Sequence, residues 1–272
     1  MSIKIGLDIG GSATKIVGLR DGKLIGKEVI KASDPLTSAF GALGKICKGN
    51  NWTLEDIDRI CLTGVGSTAI PNDLFGVRTA VASEFIATGL GGLYLSGLDR
   101  AVVVSMGTGT AYLEATRSSV NHIIGSGVGG GTLIGLSKAM LDITDPNKIT
   151  NIARGGNTGN ADLTVGDIAE GGVKGLSKDI TASNFGKASD ALSDSDKLSA
   201  LFNMVYQITG SLSVMASRNT GIEDVVYTGQ LTTFEQCRQY IMMFESVYGI
   251  KIHIPEDAMY ATAIGSTLEL EA

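Results

Sequence analysis

The chain has 272 residues, of which 28 are acidic and 22 basic, giving a net charge of −6, and 37 glycines stand beside only 4 prolines. That length buries a core without disulfide or metal staples, and scattered basic residues under a net negative charge argue against a nucleic-acid partner. Cys47, Cys61 and Cys237 are odd in number, widely spaced and set among apolar residues, so they read as reduced core residues, which favours the cytoplasm. The opening Met1–Asp8 lacks a basic region followed by a long apolar run, and no window approaches about 18 apolar residues, so neither secretion nor a membrane span is expected.

In chain order, strands are expected at 3–7, 13–19 and 24–31, followed by a helix over 36–47, where Leu36, Phe40, Leu43, Ile46 and Cys47 recur at helical spacing. A strand at 59–63, ended by Gly64 and Gly66, leads into a helix over 80–94. A second cycle opens with the apolar run 101–105 and continues with strands at 110–115 and 119–124, so the three-strand start occurs twice and implies a duplication. Helices follow at 133–141, 162–169 and, longest, 197–219. A strand at 224–228, a helix at 233–248, a strand at 251–254 and a closing helix at 258–270 complete the α/β pattern. The Gly-, Asn- and Asp-rich segment 154–178 is expected to be an insertion.

The glycines concentrate where strands end. Asp8-Ile9-Gly10-Gly11-Ser12-Ala13-Thr14-Lys15 and Ser105-Met106-Gly107-Thr108-Gly109-Thr110 each place a bare-backbone turn between two apolar strands. Such tips let an anion approach the backbone closely, and two of them facing each other would clamp a polyphosphate. Asp8, directly or through water, suits Mg²⁺ beside those phosphates; Ser12 and Thr14 add hydroxyls and Lys15 a cation. The spacing excludes the nucleotide loop G-x-x-x-x-G-K-S/T. Gly125 to Gly131, opening the helix with Thr132, Leu133 and Ile134, offers N–H groups and a positive dipole end to phosphate or ribose. At Tyr227-Thr228-Gly229-Gln230 an adenine lying flat against the glycine and an ordinary strand-to-helix turn are equal readings. Glu84 is a lone carboxylate in an apolar helix pattern, where burial would raise its pKa toward general-base work; an exposed glutamate on a polar face is the commoner case. His253 reads as structural, and no His/Cys cluster has metal spacing.

The order of these motifs, closed by Ala263-Ile264-Gly265-Ser266, resembles the acetate kinase, sugar kinase, Hsp70 and actin superfamily. Ala82-Ser83-Glu84-Phe85, Gly129 to Leu136, Thr181-Ala182-Ser183-Asn184-Phe185-Gly186 and Ala216-Ser217-Arg218 resemble type II pantothenate kinases more specifically. The resemblance implies two ribonuclease H-like (actin-like ATPase) domains, residues 1–98 with the closing helix 258–272 and residues 99–257, with ATP in the cleft between them and a homodimer through the long helix. It implies transfer of the γ-phosphoryl group to the terminal hydroxyl of pantothenate in coenzyme A biosynthesis. On it Glu84 is the base, with Asp8 and Lys15 catalytic beside it. Thr108, Thr110 and His122 lie near substrate, and Gly10, Gly11, Ser12, Thr14, Thr108, Gly109, Gly130 to Ile134, Pro146, Gly229 and Gln230 lie near the nucleotide.

Two residues depart from the family pattern. His122 stands where an arginine usually contacts acceptor and phosphate, trading a permanent charge and planar fork for one donor. Pro146 stands where relatives can place an aromatic. Three functions therefore stay open: a pantothenate kinase, a same-fold kinase for another small alcohol such as a pantetheine-like compound or a sugar, and a nucleotide-binding regulator that no longer transfers phosphate.

Overall fold

Alternation along the first strand, β1 (Ile3–Ile9), determines how the first half packs. In the structure, a computed structural model that describes residues 2–269 except 170, 172 and 174–176, Ile3, Ile5, Leu7 and Ile9 turn to one side of the sheet and join a core with helix α1 (Pro35–Asn50). Gly6 and Asp8 turn to the other. Strands β2 (Ala13–Arg20) and β3 (Lys23–Lys31) extend the sheet antiparallel, while β4 (Ile57–Thr63) adds parallel on the far side of β1. Helix α1 starts where Asp34 accepts from the Thr37 N–H at 2.9 Å, with Pro35 in its first turn, and stops at Asn51 in the left-handed region.

Beyond β4 come a short edge strand β5 (Asp73–Leu74), then β6 (Val77–Val81), which pairs parallel with β4, then helix α2 (Glu84–Ser96). The second sheet comprises β7 (Arg100–Met106), β8 (Thr110–Thr116) and β9 (Val120–Ser126). Helices α3 (Gly130–Leu141) and α4 (Pro146–Ala153) follow. A two-stranded ribbon of β10 (Leu163–Thr164) and β11 (Thr181–Ser183) encloses the single-turn helix α5 (Val165–Ile168). The long helix α6 (Asp194–Thr220) leads to β12 (Asp224–Thr228), α7 (Glu235–Ile241), α8 (Met243–Tyr248), β13 (Lys251–His253) and α9 (Ala261–Glu269).

The first sheet runs β3-β2-β1-β4-β6-β5 and the second β9-β8-β7-β12-β13. Leaving aside the edge strand β5, both have the order 3-2-1-4-5 in their own numbering, with the same antiparallel and parallel pairings. The expected duplication is therefore present in the topology. Between the sheets lie α9, packed on β1, β2 and β4, and α2, packed on β7, β8, β9 and β12. These helices touch backbone to backbone. A Cβ at Gly91 would lie 1.8 Å from the Ala261 carbonyl oxygen and one at Gly265 would lie 1.7 Å from that of Ala87, so no larger residue fits at this crossing. The larger core sits on the other face of the second sheet, where Val102, Val104 and Tyr112 meet Phe202, Val205 and Tyr206 of α6.

Four expectations from the sequence are corrected. Residues 77–81 form β6, so α2 begins at Glu84 and not at 80; the strand's partner, β4, lies outside any local window. The helix expected over 162–169 is reduced to Val165–Ile168, because Leu163 and Thr164 pair with β11. Helix α4 was not foreseen, although Asp145, which accepts from the N–H groups of Asn147 and Lys148, followed by Pro146, is a start signal. The helix expected over 233–248 is two helices meeting at Met242. The end of the closing helix, and part of the 154–178 segment, lie outside the described residues.

Candidate active site

The two glycine turns meet. Ser12 Oγ of the β1–β2 tip and Thr108 Oγ1 of the β7–β8 tip are 3.4 Å apart, across the mouth of a cleft of about 1030 Å³ between the sheets. Gly10, Gly11, Ser12, Gly107, Thr108 and Gly109 all line it. The first turn is held by the Gly10 N–H on the Ala13 carbonyl, the second by the Gly107 N–H on the Gly109 carbonyl.

Asp8, Lys15 and Thr63 form a row across β2, β1 and β4, because Asp8 is in register with Lys15 on one side and with Thr63 on the other; Asp8 and Lys15 line the cleft and Thr63 is buried beside them. Lys15 Nζ lies 3.2 Å from Asp8 Oδ2, and both side chains are largely buried. Asp8, at 7% exposure, thus has the charged partner that a buried carboxylate needs. The chain leaves β4 at Gly64, whose φ of +86° suits glycine and whose Cβ would lie 2.6 Å from Asp8 Oδ1. The floor thus allows no side chain there.

Glu84 is the first residue of α2 and lines the same cleft. It is not mid-helix, as the apolar pattern suggested; its side chain is exposed, the commoner of the two cases expected, yet its neighbours lie close enough for desolvation to raise its pKa. The Asp8 charge pushes the same way and Lys15 opposes it. Phe85 stacks on the His122 ring from β9, centroids 4.7 Å apart and planes 19° from parallel, so His122 is held against the cleft wall beside the start of α2.

The glycine loop before α3 behaves differently from expectation. The N–H groups of Gly130 and Gly131 do not face a ligand; they donate to the carbonyls of Gly107 at 2.9 Å and Thr108 at 2.8 Å. The loop clamps α3 to the second hairpin, and both residues still line the cleft with their backbone. Thr132 turns away: its hydroxyl donates to the Gly127 carbonyl and accepts from the Gly129 N–H. Thr14 is also outside the cleft, because β2 alternation points it with Ile16 toward the α1 side, where it is fully buried. Leu133, Ile134, Pro146, Gly229 and Gln230 line the cleft where expected, as does Thr110, whose hydroxyl donates to the Val128 carbonyl at 2.8 Å.

Ser105, Val65, Phe85, Phe234, Met259 and Thr262 also line the cleft and were not singled out as site residues from the sequence. Ser105 was legible as the counterpart of Asp8 two residues before a glycine turn; the others come from separate elements and carried no local signal. A single buried carboxylate flanked by an ammonium suits magnesium, which keeps several waters and takes one or two protein carboxylates beside nucleotide phosphates. Among the described residues no group of three or more His, Cys, Asp or Glu could hold a metal by itself.

Comparison with known proteins agrees with this geometry. The Fumble family model matches residues 100–269. The type II pantothenate kinase of Bacillus cereus (strain ATCC 14579) is 30% identical over 98% of both chains, and that of Staphylococcus aureus (strain USA300) is 27% identical over 97% of this chain and 98% of the relative. Among solved structures, the activator of 2-hydroxyisocaproyl-CoA dehydratase from Clostridium difficile with bound ADPNP superposes with a TM-score of 0.68 at 16% identity, covering 98% of this chain and 93% of that one. A ROK family glucokinase from Streptomyces griseus in complex with glucose and AMPPNP superposes with a TM-score of 0.63 at 10% identity over the whole of both chains. These last two share the fold alone, two ribonuclease H-like halves in the actin-like ATPase arrangement. With 30% identity over nearly its full length and a family match over more than half of it, the chain belongs to the Fumble family of type II pantothenate kinases.

Proposed function

We propose that this chain phosphorylates the terminal hydroxyl of pantothenate with ATP, the reaction named for its relatives. The observation that carries the reading is convergence: Asp8 and Lys15 of the first hairpin meet Glu84, some seventy residues later on α2, in one cleft whose mouth is two glycine tips 3.4 Å apart at Ser12 and Thr108. Both solved neighbours described above hold an ATP analogue, and the same glycine tips supply the anion-binding backbone here.

In this reading the tips hold the β- and γ-phosphates, and Lys15, already beside Asp8, neutralises part of their charge. Asp8 and the phosphates would hold Mg²⁺, which supplies further charge neutralisation. The acceptor hydroxyl, placed near Glu84, gives its proton to that carboxylate as its oxygen bonds to the γ-phosphorus; the bond from that phosphorus to the bridging oxygen breaks and ADP leaves. The protein's contribution is positioning and charge neutralisation, since the transfer needs no covalent step on an enzyme side chain. Glu84 must be ionised to act, and its raised pKa makes it a stronger base than an ordinary carboxylate.

Residues 1–98 with the closing helix, and residues 99–257, are taken as the two lobes. A homodimer through α6 is supported by its outer face, where Ile208 and Leu212 line a groove with Met243, Val247 and Tyr248 of α8 and where Met215 is exposed. A cytoplasmic location rests on the reduced cysteines; among the described residues no helix is long and apolar enough to cross a membrane.

A second reading is favoured by His122. Among the described residues lining the cleft, the only lysine or arginine is Lys15, which is paired with Asp8. An acceptor bearing a carboxylate gains little there, and an uncharged pantetheine-like alcohol fits the Phe85–His122 wall as well. ADP release with Mg-ATP, measured with pantothenate, with pantetheine and with neither, tests both readings. Stimulation by pantothenate supports the first; stimulation by pantetheine alone supports the second; nucleotide binding without stimulation by either overturns both in favour of another acceptor, such as a sugar, or of a regulator.

A further inference from the structure

Thr63 ends β4 in register with Asp8, so both side chains rise from one face of neighbouring parallel strands. Its hydroxyl is wholly buried and makes no hydrogen bond. The second sheet contains the matching position. Thr228 ends β12 in register with Ser105, is equally buried, and donates to the Val104 carbonyl at 3.3 Å. Each threonine is followed by a glycine at positive φ, Gly64 at +86° and Gly229 at +91°. A Cβ on either would strike the carbonyl oxygen of the residue just before the glycine turn of its own half, that of Ile9 or of Met106. The two backbones match, and what differs is the neighbour: a carboxylate beside Thr63, a hydroxyl beside Thr228.

Valine has the shape of threonine, suits a strand equally well and would leave no polar atom buried without a partner. An unpartnered hydroxyl at such a place points to a partner that arrives with the ligand. Asp8 Oδ2 faces Lys15, while Oδ1 lies toward the Thr63–Gly64 end of β4. We propose that Thr63 is a positioning residue for the divalent cation: its hydroxyl donates to Asp8 Oδ1, directly or through one water, and fixes that carboxylate once Mg²⁺ and nucleotide are bound. This inference rests on the reading of Asp8 as the cation-holding carboxylate. Partners of this kind, which orient a ligand without touching the metal, typically govern affinity by about 10- to 100-fold.

The test is thermal melting of the full chain with ADP at fixed concentration across a Mg²⁺ titration, for wild type, Thr63→Val, Thr63→Ser and Thr228→Val. Thr63→Val should melt no lower than wild type without metal, yet need about tenfold more Mg²⁺ to reach half of the ADP-dependent shift. Thr63→Ser should titrate close to wild type, and Thr228→Val should leave the Mg²⁺ midpoint where it was. An unchanged midpoint in Thr63→Val, or a Thr63→Ser midpoint displaced as far as that of valine, overturns the inference while leaving the nucleotide site intact. Should Thr63→Val not fold, Thr63→Ala against Thr63→Ser gives the same comparison. A wild-type chain that ADP and Mg²⁺ together do not stabilise overturns the cation reading of Asp8 and this inference with it.

Discussion

The two halves of this chain use one backbone plan and load it differently. In the first sheet the row that reaches the cleft is Lys15 and Asp8, backed by buried Thr63 and closed by Gly64; in the second it is Ala111 and Ser105, backed by buried Thr228 and closed by Gly229. Strand order, pairing sense and the positive-φ glycine are the same. The charges are not. A duplicated fold thus fixes where a turn and a floor residue must lie but leaves their chemistry free. Here the first half supplies an ion pair, and the second half hydroxyls and backbone.

That contrast can be broken most directly at Glu84, which α2 carries into the cleft between the two floors. Glu84→Gln should lower kcat by roughly 10²- to 10⁴-fold, the range for a lost general base, with little change in melting temperature. The acidic limb of kcat/KM in the wild type should fall at a higher pH than an ordinary carboxylate would give, because desolvation by its neighbours and then the Asp8 charge raise the Glu84 pKa, and the base is lost as pH drops through it. A pH profile is the check. A limb in the ordinary carboxylate range, or one that survives Glu84→Gln, would assign the base elsewhere.

The floor residues come next. Asp8→Asn should cost about 10²- to 10³-fold in kcat/KM, as for loss of a preorganised charged group, whereas Ser105→Ala should cost under about tenfold, the scale of one neutral hydrogen bond. Equal losses in steady-state assays would show that the halves share the load. Gly64→Ala and Gly229→Ala sharpen the comparison in a different way. Each forces a non-glycine residue into positive φ and into a carbonyl 2.5 to 2.7 Å away, costing about 1–3 kcal/mol from the backbone alone. Melting should therefore fall in both, but only Gly64→Ala, whose Cβ also meets Asp8 Oδ1, should shift the Mg²⁺ dependence of turnover.

The smallest effect is expected on the back of the first sheet. Thr14 sits in the first glycine motif but faces α1 with an unpartnered hydroxyl. Thr14→Val should leave turnover unchanged and melting equal or slightly higher, because it removes a buried polar atom at nearly constant shape. Lost activity would mean that the motif acts through both faces.

Glycine turns after apolar strands were enough to place both hairpins, the loop before α3 and the strand ending at Thr228, since each signal is local and backbone sterics impose it. The same patterns gave the two-sheet duplication and most of the cleft lining. Local signals fall short where a distant partner decides the outcome. Val77–Val81 is a strand only because β4 is there to pair with it, and that moved Glu84 from mid-helix to the helix start. Gly130 and Gly131 looked like free donors until the second hairpin placed two carbonyls against them. Thr14, Thr132 and Thr63 carry no local mark of which is turned away, which is folded back on its own loop and which lies beside the carboxylate, because strand facing and loop closure decide that in three dimensions. Sequence alone therefore determined the fold class, the repeat and the chemical types that meet in the cleft. Only the tertiary structure decided which atoms face it, because a side chain's partners come mainly from strands and helices far away along the chain.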